Sequence, residues 1–233
     1  MTVDQQQRPA QRRPRQGKAV YERIREMAIS YEFLPDESIN EASLARQLGV
    51  SRSPVRDSLN RLVTEGLITF RPNYGFFARS LTETELFDLA ETRLCLEIEA
   101  LRLAFERRTP EQAQELLDFW TQIDANLETT DPKVSARADE DFHIRIFRMA
   151  NNAVLLNSIE TINARIRFIR EIEIETPIRS GADFSEHFNI ARALIDNDCA
   201  AGLAAMKRHL EFNRVETKKI LRQGILRIYE TRR

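Results

Sequence analysis

From Lys18 to Ser30 the apolar positions Val20, Ile24, Met27 and Ala28 recur at helical spacing, which predicts a first amphipathic helix. The polar stretch before it, residues 1–16, holds Pro9, Pro14 and four arginines and reads as a disordered basic arm. The segment LPDESI breaks the helical pattern. Asn40 then reads as the N-cap of a short helix, with Ile39 before the cap and Leu44 at its fourth position forming a hydrophobic staple. Gly49 supplies a left-handed stop. Ser51 reads as the next cap, and Pro54 sits in a first turn where a missing N–H costs nothing. Val55, Leu59, Leu62 and Val63 form the apolar face of that helix, and Gly66 ends it. LITF and GFFA, separated by the turn sequence RPNYG, predict a β-hairpin.

Beyond Ser80 the pattern is helical only. Thr82 and Glu85 form a capping box for a helix to about Arg108. Thr109-Pro110-x-Gln112 restarts a helix that should run to about Leu127. Further helices are predicted at about 133–149, 153–175, 184–197 and 199–222, with connections short enough for antiparallel neighbours. The expected fold class is mainly α: a winged helix-turn-helix domain at 17–80, an all-α antiparallel bundle at 81–222, and a C-terminal tail at 223–233.

Composition adds exclusions. The chain has 233 residues, 42% hydrophobic and 30% charged, a globular balance. Its apolar runs are too short to span a membrane and no secretory pattern opens it, so the expected location is cytoplasmic. Cys95 and Cys199 make no disulfide framework and are read as buried packing residues. Residues 1–80 carry 13 Lys/Arg against 9 Asp/Glu, whereas the remainder carries 22 against 27. A basic part joined to an acidic part predicts two domains with different partners.

The basic part has the layout of a DNA reader. Helix, glycine-containing turn, helix and hairpin wing form a winged helix-turn-helix, whose second helix enters the major groove by its N-terminal end. That end reads Ser51-Arg52-Ser53-Pro54-Val55-Arg56, with hydroxyls and N–H groups for phosphates and arginines that can fork onto guanine. Arg46, and Arg71 or Tyr74 at the wing, could add backbone contacts. Residues 44–75, LARQLGVSRSPVRDSLNRLVTEGLITFRPNYG, resemble the winged helix-turn-helix of the GntR family of bacterial transcription regulators. The matching elements are the LA pair, GVSRSPVR, the LNRL register, EGLI and Gly75. The resemblance implies operator contacts from Ser51, Arg52, Ser53 and Arg56, with Gly75 shaping the wing tip. The family usually has Pro-Gly before the second helix, where this chain has Pro35-Asp36, so that loop is expected to differ.

Every histidine lies in the acidic part. Asp139 and His143 are four apart on one helical face, among Phe142, Ile146 and Phe147. His187 falls beside Phe184, Ala191 and Leu194, and His209 beside Met206 and Leu210. Taken singly, each reads more readily as a hydrogen-bonded core residue than as a ligand. Together, three imidazoles and a carboxylate suit zinc or another first-row divalent ion, with nickel, manganese and iron as further candidates. Arg93 lies with Glu97 in the stripe Leu86, Ala90, Leu101, Ala104. It reads either as a rim ion pair or as an inward guanidinium that grips a carboxylate. Trp120, with Leu116, Leu117 and Ile123, reads as core or dimer face.

Residues 82–222 are similar to the FCD ligand-binding domain of the FadR subfamily. The residues that carry this are Asp139-x-x-Phe142-His143, Asn151 or Asn152, Glu186-His187 with ARALIDND, and Met206-x-x-His209-Leu210. The resemblance implies that Asp139, His143, His187 and His209 bind the ion, that Arg93 faces a ligand opposite it, and that the helical domain dimerises. The expected protein is a metal-containing repressor, not an enzyme. As a homodimer it binds a palindromic double-stranded operator and is switched by a small carboxylate effector. A metal-dependent enzyme and a metal-sensing regulator stand as alternatives.

Overall fold

The computed structural model describes residues 12–125, 131–175, 185–210 and 214–230. It divides into two compact units, residues 1–80 and 81–233. In the first, α1 (Arg12–Ile29) is followed by β1 (Ser38–Ile39), α2 (Glu41–Gln47), α3 (Arg52–Thr64), β2 (Ile68–Arg71) and β3 (Gly75–Ala78). The arm expected over 1–16 is therefore helical from Arg12, because Pro14 falls in the first turn of α1, where a proline costs far less than in a helix interior. Residues 1–11 lie outside the described residues.

Local chemistry builds this unit. Asn40 accepts the Ser43 N–H at 2.9 Å and caps α2, and Gly49 takes φ +65° at the turn before α3. Val20, Ile24, Leu44, Val55, Leu59, Leu62, Ile68 and Phe76 close a core between the helices and the sheet. β3 pairs antiparallel with both β2 and β1. The strand β1, in a segment read only as a break, was not anticipated. Its two residues borrow the free edge of the hairpin, a pairing that no periodicity in two residues can announce.

The second unit holds α4 (Glu83–Arg107), α5 (Pro110–Asp124), α6 (Pro132–Met149), α7 (Ala153–Glu175), α8 (Ser185–Asp196), α9 (Cys199–His209) and α10 (Arg214–Glu230). Thr109 and Gln112 form a full capping box on α5, whereas Thr82 accepts the Glu85 N–H and the Glu85 carboxylate turns to Arg165 instead. α6 sits between two apolar clusters. Phe142, Ile146 and Met149 pack with Leu101, Leu116, Trp120, Ile190 and Leu194, while Ile144 and Phe147 pack with Leu89, Ala100 and Ile159. Trp120 is 0% exposed within the chain, so it is core and not a dimer face.

Three expectations for this unit are corrected. The single helix predicted over 199–222 is two, because α9 ends at His209 with Leu210 as its C-cap. Its last turn carries Lys207 and Arg208, cations that complement a helix C-terminus. The tail expected from residue 223 is instead the second half of α10, which runs to Glu230 and buries Ile228. Cys95 is exposed and Cys199 half-buried, so neither is a buried packing residue. Among the described residues no helix is long and apolar enough to cross a membrane.

Candidate DNA-contact face and metal centre

The first turns of α3 present Ser51, Arg52, Ser53 and Arg56 as exposed residues, because Val55, Ser58, Leu59 and Leu62 take the inward positions. Ser51 occupies the cap position, but its side chain makes no capping hydrogen bond. Its hydroxyl is thereby left for another acceptor or donor. Arg46 is exposed in the last turn of α2. At the wing, the Tyr74 N–H donates to Arg71 O at 3.0 Å. Pro72 precedes Asn73 at φ +65°, the pattern of a type II turn. Gly75 follows at φ +93° with open space around its missing Cβ, so its backbone conformation is the reason for glycine there. Tyr74 is 78% exposed at the tip.

Asp36 adopts φ +61° where the family pattern has glycine. Its carboxylate accepts from the Arg71 guanidinium at 2.7 Å and from the Ser80 hydroxyl at 2.8 Å. Those bonds hold the strained turn against both ends of the hairpin. Arg71 also lies over the Phe77 ring, 4.2 Å from its centroid, so this wing arginine is already engaged within the unit.

The second unit brings Asp139, His143, His187 and His209 together. One ligand atom from each falls within 4.8 Å of all the others. Asp139 Oδ1 lies 3.3 Å from His187 Nε2 and 3.9 Å from His209 Nε2, and Asp139 Oδ2 lies 3.8 Å from His143 Nε2. The Nε2 atoms of His143 and His209 are 3.0 Å apart. Two ring nitrogens so close cannot both offer lone pairs to each other; a proton or a cation must lie between them. Donor separations of roughly 3 Å are also the edges of a coordination shell built on metal–nitrogen bonds of about 2 Å.

The surrounding shell aims these four side chains. The Glu97 carboxylate, 0% exposed, meets His143 Nδ1 at 2.9 Å, which leaves Nε2 facing the centre. The Arg93 Nε donates to the other Glu97 oxygen at 3.1 Å. Trp120 stacks on the His187 ring at 3.7 Å between centroids. Arg170 pairs with Asp139 Oδ2. Burial alone would raise the Asp139 carboxyl, but the hydrogen bond from His187 and the three imidazoles outweigh it and hold the group far below its ordinary range. Burial likewise opposes Glu97, and His143 and Arg93 pull it down. For His209, burial first and then its cationic neighbours keep the ring neutral well below its ordinary 6.5.

A cavity of about 80 Å³ adjoins the cluster. Its lining includes Arg93 and Ala90 from α4, Ile166 and Arg170 from α7, His209 at the end of α9, and Thr217 from α10. Arg93 is thus both the paired and the inward residue: Nε serves Glu97, while its two Nη groups have no hydrogen-bond partner among the described residues. The residues not anticipated are Glu97 as the orienter of His143, Trp120 as the platform of His187, and Arg170. A charge among Ile166, Ile169 and Ile172 is a signal, but Arg165 and Arg167 are its equals in sequence and turn elsewhere, to Glu85 and Glu140.

Residues 88–212 match the FCD domain, and residues 16–78 match the gntR family of bacterial regulatory proteins. The chain is 40% identical over 207 residues to the Nta operon transcriptional regulator of Aminobacter aminovorans, covering 87% of this chain and 95% of that protein. It is 24% identical over 211 residues to the HTH-type transcriptional repressor RspR of Escherichia coli, 91% of each. Among solved structures, E. coli McbR/YncC superposes with a TM-score of 0.67 at 21% identity, covering 94% of this chain and 99% of that one. A GntR regulator from Rhodococcus sp. RHA1 gives 0.66 at 20% identity, covering 88% and 97%. These two likenesses show the fold.

Proposed function

This chain belongs to the GntR family of bacterial transcriptional regulators and carries an FCD domain, and we propose that it is a metal-containing repressor relieved by a small organic acid. Its relatives are regulators and not enzymes, and it is a DNA-binding protein of the same kind. The operator is read by a homodimer as a palindrome, with the two helical domains forming the dimer and the protein working in the cytoplasm. Ser51, Arg52, Ser53 and Arg56 enter the major groove, Arg46 touches the backbone, and Gly75 lets the wing tip approach the neighbouring groove.

Asp139, His143, His187 and His209 hold one divalent ion, zinc before nickel, manganese or iron, since nitrogen donors in a compact buried set suit it. Bound there, the ion supplies a Lewis-acidic anchor for an oxygen of the effector. The residues of the chain do the rest. Glu97 fixes the His143 ring, and Trp120 fixes that of His187. Arg93 offers two free Nη groups to a carboxylate, and the apolar wall excludes water. The observation that carries this reading is the buried Arg93, 6% exposed, whose free guanidinium edge belongs to the same cavity as His209.

The metal-sensor alternative receives less support, because Arg93 and the cavity would then have no task. A melting-temperature screen of purified protein against small acids, before and after chelation, tests the reading. It expects at least one acid to stabilise the metal-loaded protein and not the chelated one. Equal shifts with and without metal would remove the ion from effector binding.

A further inference from the structure

Arg170 is the second cation of the effector cavity, and nothing above gives it a ligand. It sits one helical turn from Ile166 on the cavity side of α7. Its Nη2 donates to Asp139 Oδ2, the oxygen turned away from His187. Its Nε is buried and has no hydrogen-bond partner among the described residues. A guanidinium keeps its proton under all ordinary conditions, so this half-buried one, with a covered Nε that meets no acceptor, has donor capacity to spare.

The charges around it say what kind of acceptor suits it. Two guanidinium groups, Arg93 and Arg170, face the two buried carboxylates Glu97 and Asp139, and this metal-free set is balanced. The reading above puts a divalent ion on Asp139, which brings two further positive charges into the same low-dielectric pocket. Glu173, on the cavity wall, has a partner of its own. We infer that the effector is a dianion, a small dicarboxylate, with one carboxylate shared between the ion and Arg93 and the second received by Arg170. Arg93 and Arg170 both line the same cavity of about 80 Å³, so one small ligand can reach both. Arg170 is then the residue that selects dicarboxylates over monocarboxylates of equal length.

This inference rests on the carboxylate-effector reading, and one experiment separates their fates. Calorimetric titrations of the zinc-loaded full chain would compare malonate, succinate and malate with propionate, butyrate and 2-hydroxybutyrate, in wild type, Arg170→Gln and Arg170→Lys. The expected result is that the best dicarboxylate binds wild type at least about tenfold tighter than its monocarboxylate match, the size of one charged hydrogen bond. Arg170→Gln should erase that ratio while monocarboxylate affinity stays within a few-fold, and Arg170→Lys should restore part of it. Zinc content by mass spectrometry, near one per chain in all three proteins, shows that Arg170 is not acting only through Asp139. If monocarboxylates bind wild type as well as dicarboxylates, or if Arg170→Gln weakens both kinds alike, Arg170 has no selecting role while the effector reading stands. If none of the acids binds the zinc-loaded protein, both fall together.

Discussion

The His187 imidazole lies face to face on the Trp120 indole, ring centroids 3.7 Å apart and planes 14° from parallel. Both rings are buried, so the indole does two things at once: it fills the centre of the bundle core and holds the His187 ring in one orientation. Replacing Trp120 with Ala should destabilise the protein by about 3–5 kcal/mol, as deletion of a large core aromatic does. Trp120→Phe should keep most of the stability but loosen the metal. Chemical denaturation beside a zinc competition titration measures both. Unchanged zinc affinity in Trp120→Phe would reduce the stack to packing.

Glu97 is predicted to act on the ion without touching it. Glu97→Gln keeps the shape but weakens the acceptor that fixes His143, and loss of such an outer partner costs about 10–100-fold in metal affinity. A chromogenic chelator competition reads this directly. His187→Ala, which removes a ligand, should lose the ion altogether, so the two variants form a graded pair.

Arg93→Ala should abolish the acid-dependent melting shift and the release of operator by acid, while operator affinity without acid stays nearly unchanged. Gel-shift and thermal-shift titrations on the same preparation check it. Loss of DNA binding itself would argue that the Arg93–Glu97 pair serves only the fold.

At the DNA face, Arg52→Ala and Arg56→Ala are expected to separate by role. An arginine that reads a base should cost about 1–3 kcal/mol for operator and relax preference at one position. One that meets phosphate should weaken all sequences alike and flatten the salt dependence by about one unit of slope. Anisotropy titrations over several salt concentrations tell them apart. A variant at either position with wild-type affinity and slope would remove that arginine from the interface.

The metal-free protein should lose stability on acidification. His209 is held well below its ordinary 6.5 by burial and by its cationic neighbours, so below about pH 6.5 the unfolded chain takes up a proton that the folded chain refuses. Asp139 is also depressed, because the imidazoles outweigh its burial, and it adds the same sign below its ordinary 3.8. Stability from these groups is therefore flat above about pH 7 and falls as the pH drops. Scanning calorimetry of chelated protein between pH 8 and 5 would show it. A melting temperature that rises over that descent would contradict the burial of His209.

How far the chain announced its own form can be judged from particular residues. Asn40, Gly49, Thr109 with Gln112, and the turn RPNYG act within a few positions of themselves, so caps and turns stand in the structure where local spacing puts them. The GVSRSPVR run and the scarcity of histidine drew attention to α3 and to the cluster for the same reason: few residue types with that chemistry were available. The break between α9 and α10 was not to be had from periodicity, because the apolar stripe of α9 resumes in α10 and only the basic last turn hints at an end. Nor could sequence choose among Arg165, Arg167 and Arg170. Each is an arginine on α7, and which one meets Asp139 depends on how α7 lies against α6. Helical period fixes the face of one helix to within a residue, but the ångström-scale meeting of side chains from α4, α6, α7, α8 and α9 is set by the packing of all five. Sequence alone therefore determined most of the helices, the hairpin, several of their caps and the four residues that the structure gathers into one cluster. Tertiary structure decided which outer residues hold those four and what lines the cavity beside them.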